Sequence, residues 1–116
     1  MEKIQKRIVV KTQVEGTHNW PDCDIEEVSF LKHIHRHLFY IRCEKEVKHN
    51  NRDIEIINLK HNINDYLYQS FYKDWCRTHC FGDYSCEDIA EYLMKQFDLD
   101  LVEVLEDNEN GAILIK

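Results

Sequence analysis

Apolar and polar residues alternate along the first part of the chain. From Ile8 to Gly16, Val10, Thr12 and Val14 fall on one side, and Val9, Lys11, Gln13 and Glu15 on the other. A period of two carried by β-branched residues predicts a strand. Gly16 and then Asn19-Trp20-Pro21-Asp22 end it with turn chemistry. Residues 22–32 start acidic and carry Val28, Phe30 and Leu31 to bury, which reads as a loop or short helix. A second alternating run follows from about His35 to Lys48. Phe39, Ile41 and Cys43 share one face, and Arg42, Glu44 and Glu46 make the far end of the other face wetter. His49-Asn50-Asn51-Arg52-Asp53 is a turn.

The period then changes. In residues 53–69, Ile56, Leu59, Ile63, Tyr66 and Leu67 recur at spacings of three and four with polar residues between them, which predicts an amphipathic helix after the first few residues. Residues 70–84 show no clear period. Ser85-Cys86-Glu87-Asp88 is a helix start: Ser85 can cap the first free amides, with Asp88 in the reciprocal position. Cys86, Ile89, Ala90, Leu93, Met94 and Phe97 form its apolar stripe. Leu101 to Leu105 and Ala112 to Ile115 read as the two strands of a hairpin, joined by a polar loop ending in Asn110-Gly111. The expected order is β-β-α-α-β-β: an α+β domain with an antiparallel four-stranded sheet and two helices on one face. Such a sheet leaves long edges exposed in a monomer, and an oligomer that joins sheets edge to edge would cover them.

Length and charge narrow the function. The 116 residues make one domain, 1–116, with a modest core. The net charge of −7, from 22 acidic and 15 basic residues, argues against non-specific nucleic-acid binding. No apolar run is long enough to cross a bilayer and no signal-peptide pattern is present, so the expectation is a cytoplasmic protein with no membrane partner. Five cysteines, at positions 23, 43, 76, 80 and 86, are then expected as free thiols or ligands rather than a disulfide framework.

The candidate chemistry centres on His33-Ile34-His35-Arg36-His37. On a strand, His35 and His37 project from the same face and can grip one metal ion, given a further ligand from elsewhere. His18 lies just past the end of the first strand, where a lone histidine is more often a solvated loop residue. Cys23 is five residues on, and a half-buried thiol without a role is its plainest reading. Cys76-Arg77-Thr78-His79-Cys80 lacks a matching second pair of ligands and is a weak zinc signal. Glu106 stands where strand gives way to loop, a position where acids are usually just solvated.

Three motifs in this order resemble the 6-pyruvoyltetrahydropterin synthase and 6-carboxytetrahydropterin synthase family, whose fold is called the tunnelling fold. Val14-Glu15-Gly16-Thr17-His18-Asn19-Trp20-Pro21 is similar to the family's strand that ends in a zinc-binding histidine. Ile34-His35-Arg36-His37 with the apolar strand after it resembles the family's Leu-His-Gly-His. Val104-Leu105-Glu106 with Gly111 resembles the terminal hairpin, where a glutamate anchors the pterin ring. The likeness spans nearly the whole chain. It implies zinc held by His18, His35 and His37, and Glu106 as the acceptor for a pterin or purine-like ring. It implies a catalytic cysteine that moves protons while zinc acidifies substrate hydroxyls. It also implies a trimer or hexamer with pockets shared between subunits.

The chain departs from that pattern in three places. Arg36 replaces a glycine and needs room on the opposite face. Cys23, the candidate catalytic cysteine, is twelve residues before His35 rather than a few. The family's Asp-His pair has no clear match; His79, with Asp74 or Asp83, is the candidate for it. Two function classes follow. One is a zinc-dependent lyase acting on a dihydropterin triphosphate or related pterin, as in deazaguanine (queuosine) synthesis. The other is a non-catalytic protein that sequesters a purine or pterin nucleotide on the same fold. A zinc used only for stability is a third, weaker reading.

Overall fold

A computed structural model describes residues 3–116. Strands β1 (Arg7–His18) and β2 (His35–Glu46) pair antiparallel along their full length, from Arg7 opposite Glu46 to His18 opposite His35. The connection between them contains a short 3-10 helix, Glu26–Lys32. It is tied to the end of β1 where the Trp20 N–H donates to the Leu31 carbonyl at 2.7 Å and the Asn19 amide to that of Lys32 at 3.0 Å. Helix α1 (Ile56–Phe71) starts at Glu55, whose carboxylate accepts from the Ile57 and Asn58 amides. Two short strands follow, β3 (Tyr72–Lys73) and β4 (Thr78–Cys80), then α2 (Cys86–Phe97) and the hairpin of β5 (Leu101–Glu106) and β6 (Asn110–Ile115). The Ser85–Asp88 capping box forms as the sequence predicts.

The chain is α+β, as expected, but the sheet is neither four-stranded nor wholly antiparallel. Among the described residues six strands run in the order β3-β4-β1-β2-β5-β6, and β4 lies parallel to β1. The two additional strands come from the stretch without a period. Elements of two and three residues are too short to show alternation, and they turn at Arg77, which has a φ of 55°. They extend the sheet on the β1 side, where the expected edge would have been.

Both α-helices cover one face. Leu59, Ile63, Leu67 and Phe71 of α1 and Cys86, Ile89, Ala90 and Leu93 of α2 pack with Val10, Phe39, Ile41, Val102 and Val104 into one core. Tyr66 and Tyr92 stack between the helices at 5.2 Å. Among the described residues the other face carries no layer. Val9, Ile113 and Ile115 are 42, 49 and 66% exposed there. The radius of gyration is 15.9 Å, against ~13 Å for a compact chain of this length. Arg36 finds its room on this open face, in an ion pair with Glu15. No helix among the described residues is long and apolar enough to cross a membrane.

Candidate metal centre

The β1–β2 register assembles the site. His18 is opposite His35 and Gly16 opposite His37, so all three histidines project from the helix-covered face at one end of the ladder. Their rings sit 4.5–5.3 Å apart, centre to centre, and their nitrogens lie within 4.8 Å of one another. Phe39, fully buried, is the floor, edge-on to His18 at 5.3 Å and to His37 at 5.7 Å. Gly16 leaves room beside the cluster, since a Cβ there would meet the Phe81 ring at 2.5 Å.

Every Nδ1 in the cluster is engaged. That of His18 bonds the Tyr84 carbonyl, that of His35 the His33 carbonyl and that of His37 Asp107 Oδ2, each at 2.8 Å. Carbonyl and carboxylate oxygens only accept, so each Nδ1 carries the proton and each Nε2 is free to present a lone pair. This is the arrangement that orients imidazoles toward a metal. The Nε2 atoms of His18 and His37 are buried without a hydrogen-bond partner. Orphaned buried nitrogens are costly unless something binds them. The three imidazoles therefore have the placement to hold one metal ion, with a position left for water or ligand.

Glu106 ends β5 beside Phe39 of β2 and points into the same space. Its oxygens lie 3.0 Å from His18 Nε2 and 3.6 Å from His37 Nε2. Burial alone would lower the pKa of His18; the Glu106 carboxylate and the Tyr84 carbonyl outweigh it and raise it. Contact with His18 in turn lowers that of Glu106, against the opposing effect of burial. Asp107 follows in the left-handed region, with φ of 55°, which turns its carboxylate back onto the end of β2. One oxygen takes His37 and the other takes the Leu38 N–H at 3.0 Å.

An open cavity of about 510 Å³ lies beside the histidines, within the size range of small-molecule sites. His18, His35 and Glu106, Trp20 and Leu31, and residues 83–88 at the start of α2 line it. Cys86 lines it as well. Burial, then the charge of Glu106, pushes that thiol up to about 12, so it stays protonated. A smaller cavity of about 340 Å³ lies at the far end of the β1–β2 ladder, around Lys6, Val47 and Asp53, away from this chemistry.

The structure thus brings together His18, His35, His37 and Glu106. Neither Cys23 nor His79 lines the cavity. The Cys23 thiol is buried against the carbonyls of Ile25 and Val28, at 3.7 and 3.6 Å, in the β1–β2 connection. His79 is on β4, bonded to the Glu15 carbonyl at 3.0 Å and stacked near Phe81, and burial lowers its pKa. Among the described residues its Nδ1 partner is the Glu15 carbonyl, not Asp74 or Asp83. Cys76 and Cys80 both approach the Thr78 carbonyl, at 3.5 and 3.9 Å, and no three-ligand cluster forms around them among the described residues. Reading the sequence missed Asp107, the Tyr84 carbonyl and Cys86 as parts of the site.

No family model matches the chain, and no curated protein matches it. Among solved structures, it is similar to the crystal structure of an uncharacterized protein from Wolinella succinogenes. The TM-score is 0.70 at 11% identity, over 98% of this chain and 99% of that one. At that identity the likeness establishes the shared fold across the whole domain and nothing about activity.

Proposed function

We propose that this chain is a zinc-binding protein of the 6-pyruvoyl/6-carboxytetrahydropterin synthase type, a lyase acting on a dihydropterin triphosphate or related pterin. The observation that carries the reading is the triad of imidazoles, each with its Nδ1 held and two with orphaned Nε2 atoms, of which His18 and His35 line a cavity that also holds Glu106. His18, His35 and His37 would hold the ion. When bound, it would supply Lewis-acid polarisation of a substrate hydroxyl. Glu106, only part exposed, offers two acceptor oxygens to adjacent N–H donors on a pterin or guanine-like ring. Trp20 and Leu31 give the ring an apolar wall. The open sheet face, with its exposed isoleucines, supports self-association to a trimer or hexamer.

A second reading is a non-catalytic protein that sequesters a pterin or purine nucleotide. It is favoured by the placement of Cys23 and His79 outside the cavity, which leaves one chain without the proton-transfer groups of the lyase. Calorimetry and turnover assays with pterins separate the two. The lyase reading expects substrate consumption by the zinc-loaded protein; the sequestering reading expects tight binding without turnover. Both readings expect Glu106→Ala to weaken ring binding by about 1.5–3 kcal/mol, the range for hydrogen bonds to a charged group. Equal affinity in wild type and variant would remove the ring-anchor role.

A further inference from the structure

The β3–β4 hairpin aims two thiols at one oxygen. Thr78 and Cys80 are two apart on β4, so their side chains share a face. The turn before them brings Cys76 back to the same place. The N–H groups of Cys76 and Arg77 both donate to the Lys73 carbonyl, at 3.3 and 2.8 Å, and Arg77 takes a left-handed φ of 55° before the chain re-enters the sheet. The Cys76 thiol then lies 3.5 Å from the Lys73 carbonyl and 3.5 Å from that of Thr78. The Cys80 thiol lies 3.9 Å from the same Thr78 carbonyl. Thr78 is itself fixed: it is buried, and its hydroxyl donates to the Glu15 carbonyl of β1 at 2.8 Å. Two thiols that converge on one anchored acceptor are held as neighbours. Their contact also bears on ionisation, since burial and then the Cys76 thiol raise the pKa of Cys80. Cys23, Cys43 and Cys86 are buried in other parts of the chain, whereas Cys76 and Cys80 are half-buried near the outer edge of the sheet and line neither cavity.

We propose that Cys76 and Cys80 form a thiol–disulfide exchange site, which takes low-molecular-weight disulfides of the glutathione class and closes to a reversible Cys76–Cys80 bond. The site is separate from the histidine cluster and uses none of its residues. The Cys76 thiolate attacks one sulfur of the small disulfide. That S–S bond breaks, a mixed disulfide forms on Cys76, and one small thiolate leaves and takes up a proton. The Cys80 thiolate then attacks the Cys76 sulfur, the Cys76–Cys80 bond forms, and the second small thiolate leaves and is protonated. Two protein thiols are oxidised, one small disulfide is reduced to two thiols, and the protons the cysteines lose are those the small thiols gain. The order follows from the surroundings. Contact with the Cys76 thiol opposes ionisation of Cys80, and that opposition ends once Cys76 is tied up in the mixed disulfide. A bond across so short and exposed a turn belongs to the labile class rather than the structural one.

The test equilibrates the full chain in mixtures of oxidised and reduced glutathione, quenches with acid, alkylates the remaining thiols and maps the products by peptide mass spectrometry. The wild type should gain one intramolecular bond, between Cys76 and Cys80, with Cys23, Cys43 and Cys86 recovered as thiols. Excess reduced glutathione should reverse it. Cys76→Ser and Cys80→Ser should each stop at a mixed disulfide with glutathione on the cysteine that remains. Two cysteines this close in sequence also meet in an unfolded chain, so the deciding comparison is between folded protein and protein unfolded in guanidinium. The ratio of closed bond to mixed disulfide should be at least about tenfold higher in the folded chain, where the hairpin raises the effective concentration of one thiol at the other. An equal ratio in the two states would overturn the proposal. So would stable glutathionylation of both cysteines in the folded wild type, or a bond mapped to any other pair.

Discussion

Asp107 is the residue whose replacement tests the imidazole geometry most sharply, because it touches the centre through one ring nitrogen only. Its two oxygens serve two N–H donors, His37 Nδ1 at 2.8 Å and Leu38 N at 3.0 Å. Asp107→Asn keeps the shape but leaves one acceptor where two are needed. If the amide keeps Leu38, its NH2 meets His37 Nδ1–H and favours the other tautomer, with the proton on Nε2, where it blocks ligation. If it keeps His37, the Leu38 N–H loses its partner at the end of β2. Loss of such an outer partner typically weakens metal binding about 10–100-fold. Asp107 is half exposed, with 51% of its side chain open to water, which can partly replace it. The expected loss is therefore near the lower end, about tenfold. Competition of zinc against a fluorescent chelator at neutral pH measures it, with circular dichroism confirming that the variant folds. An affinity within about twofold of wild type would refute the argument that His37 is held as a ligand through Asp107.

Other outcomes follow from the same geometry. Gly111→Ala should destabilise the protein by about 2 kcal/mol or more, because a Cβ there would come within 1.8 Å of the Val104 carbonyl oxygen; chemical denaturation reads the change. Phe39→Ala should cost about 3–5 kcal/mol and lower zinc affinity together with stability, since the same ring fills the core and floors the histidines. Cys43, which burial pushes up to about 12, should resist iodoacetamide at pH 8, with roughly 10⁻⁴ of it ionised, while Cys76 and Cys80 react first. In metal-free protein, the stability gap between wild type and Glu106→Gln should be widest between pH 4.5 and 6.5, the ordinary values of a glutamate and a histidine. The raised pKa of His18 contributes below 6.5 and is lost as pH rises; the lowered one of Glu106 contributes above 4.5 and is lost as pH falls. Urea melts across pH would show that window or its absence.

The long elements and most of the cluster were legible in the sequence because their signals are periodic or local. Alternation marked β1 and β2, and the Ser85–Asp88 cap marked the start of α2. His35 and His37 share a face by strand geometry alone. His18 did not follow from its own surroundings, and only the resemblance singled it out; the twelve-residue register of β1 on β2 is what places it opposite His35. The β3–β4 hairpin was illegible because it is short and because its pairing with β1 is parallel and non-local. Asp107 lies in the polar hairpin loop and was not singled out: its role depends on a left-handed φ, a conformation Asp tolerates but does not announce. The Tyr84 carbonyl carries no sequence signal, since every residue has one.

The central claim is that His18, His35 and His37 form one metal centre. Zinc content of purified wild type, His18→Ala and His37→Ala, measured alongside thermal unfolding with and without added zinc, tests it most directly. The wild type should hold about one zinc per chain and gain about 2.7 kcal/mol of stability when free zinc is a hundredfold above its Kd. The two variants should fold, bind none, and show no zinc-dependent shift. A wild-type chain that stays folded and metal-free in excess zinc, or a His37→Ala chain that keeps its zinc, would contradict the account.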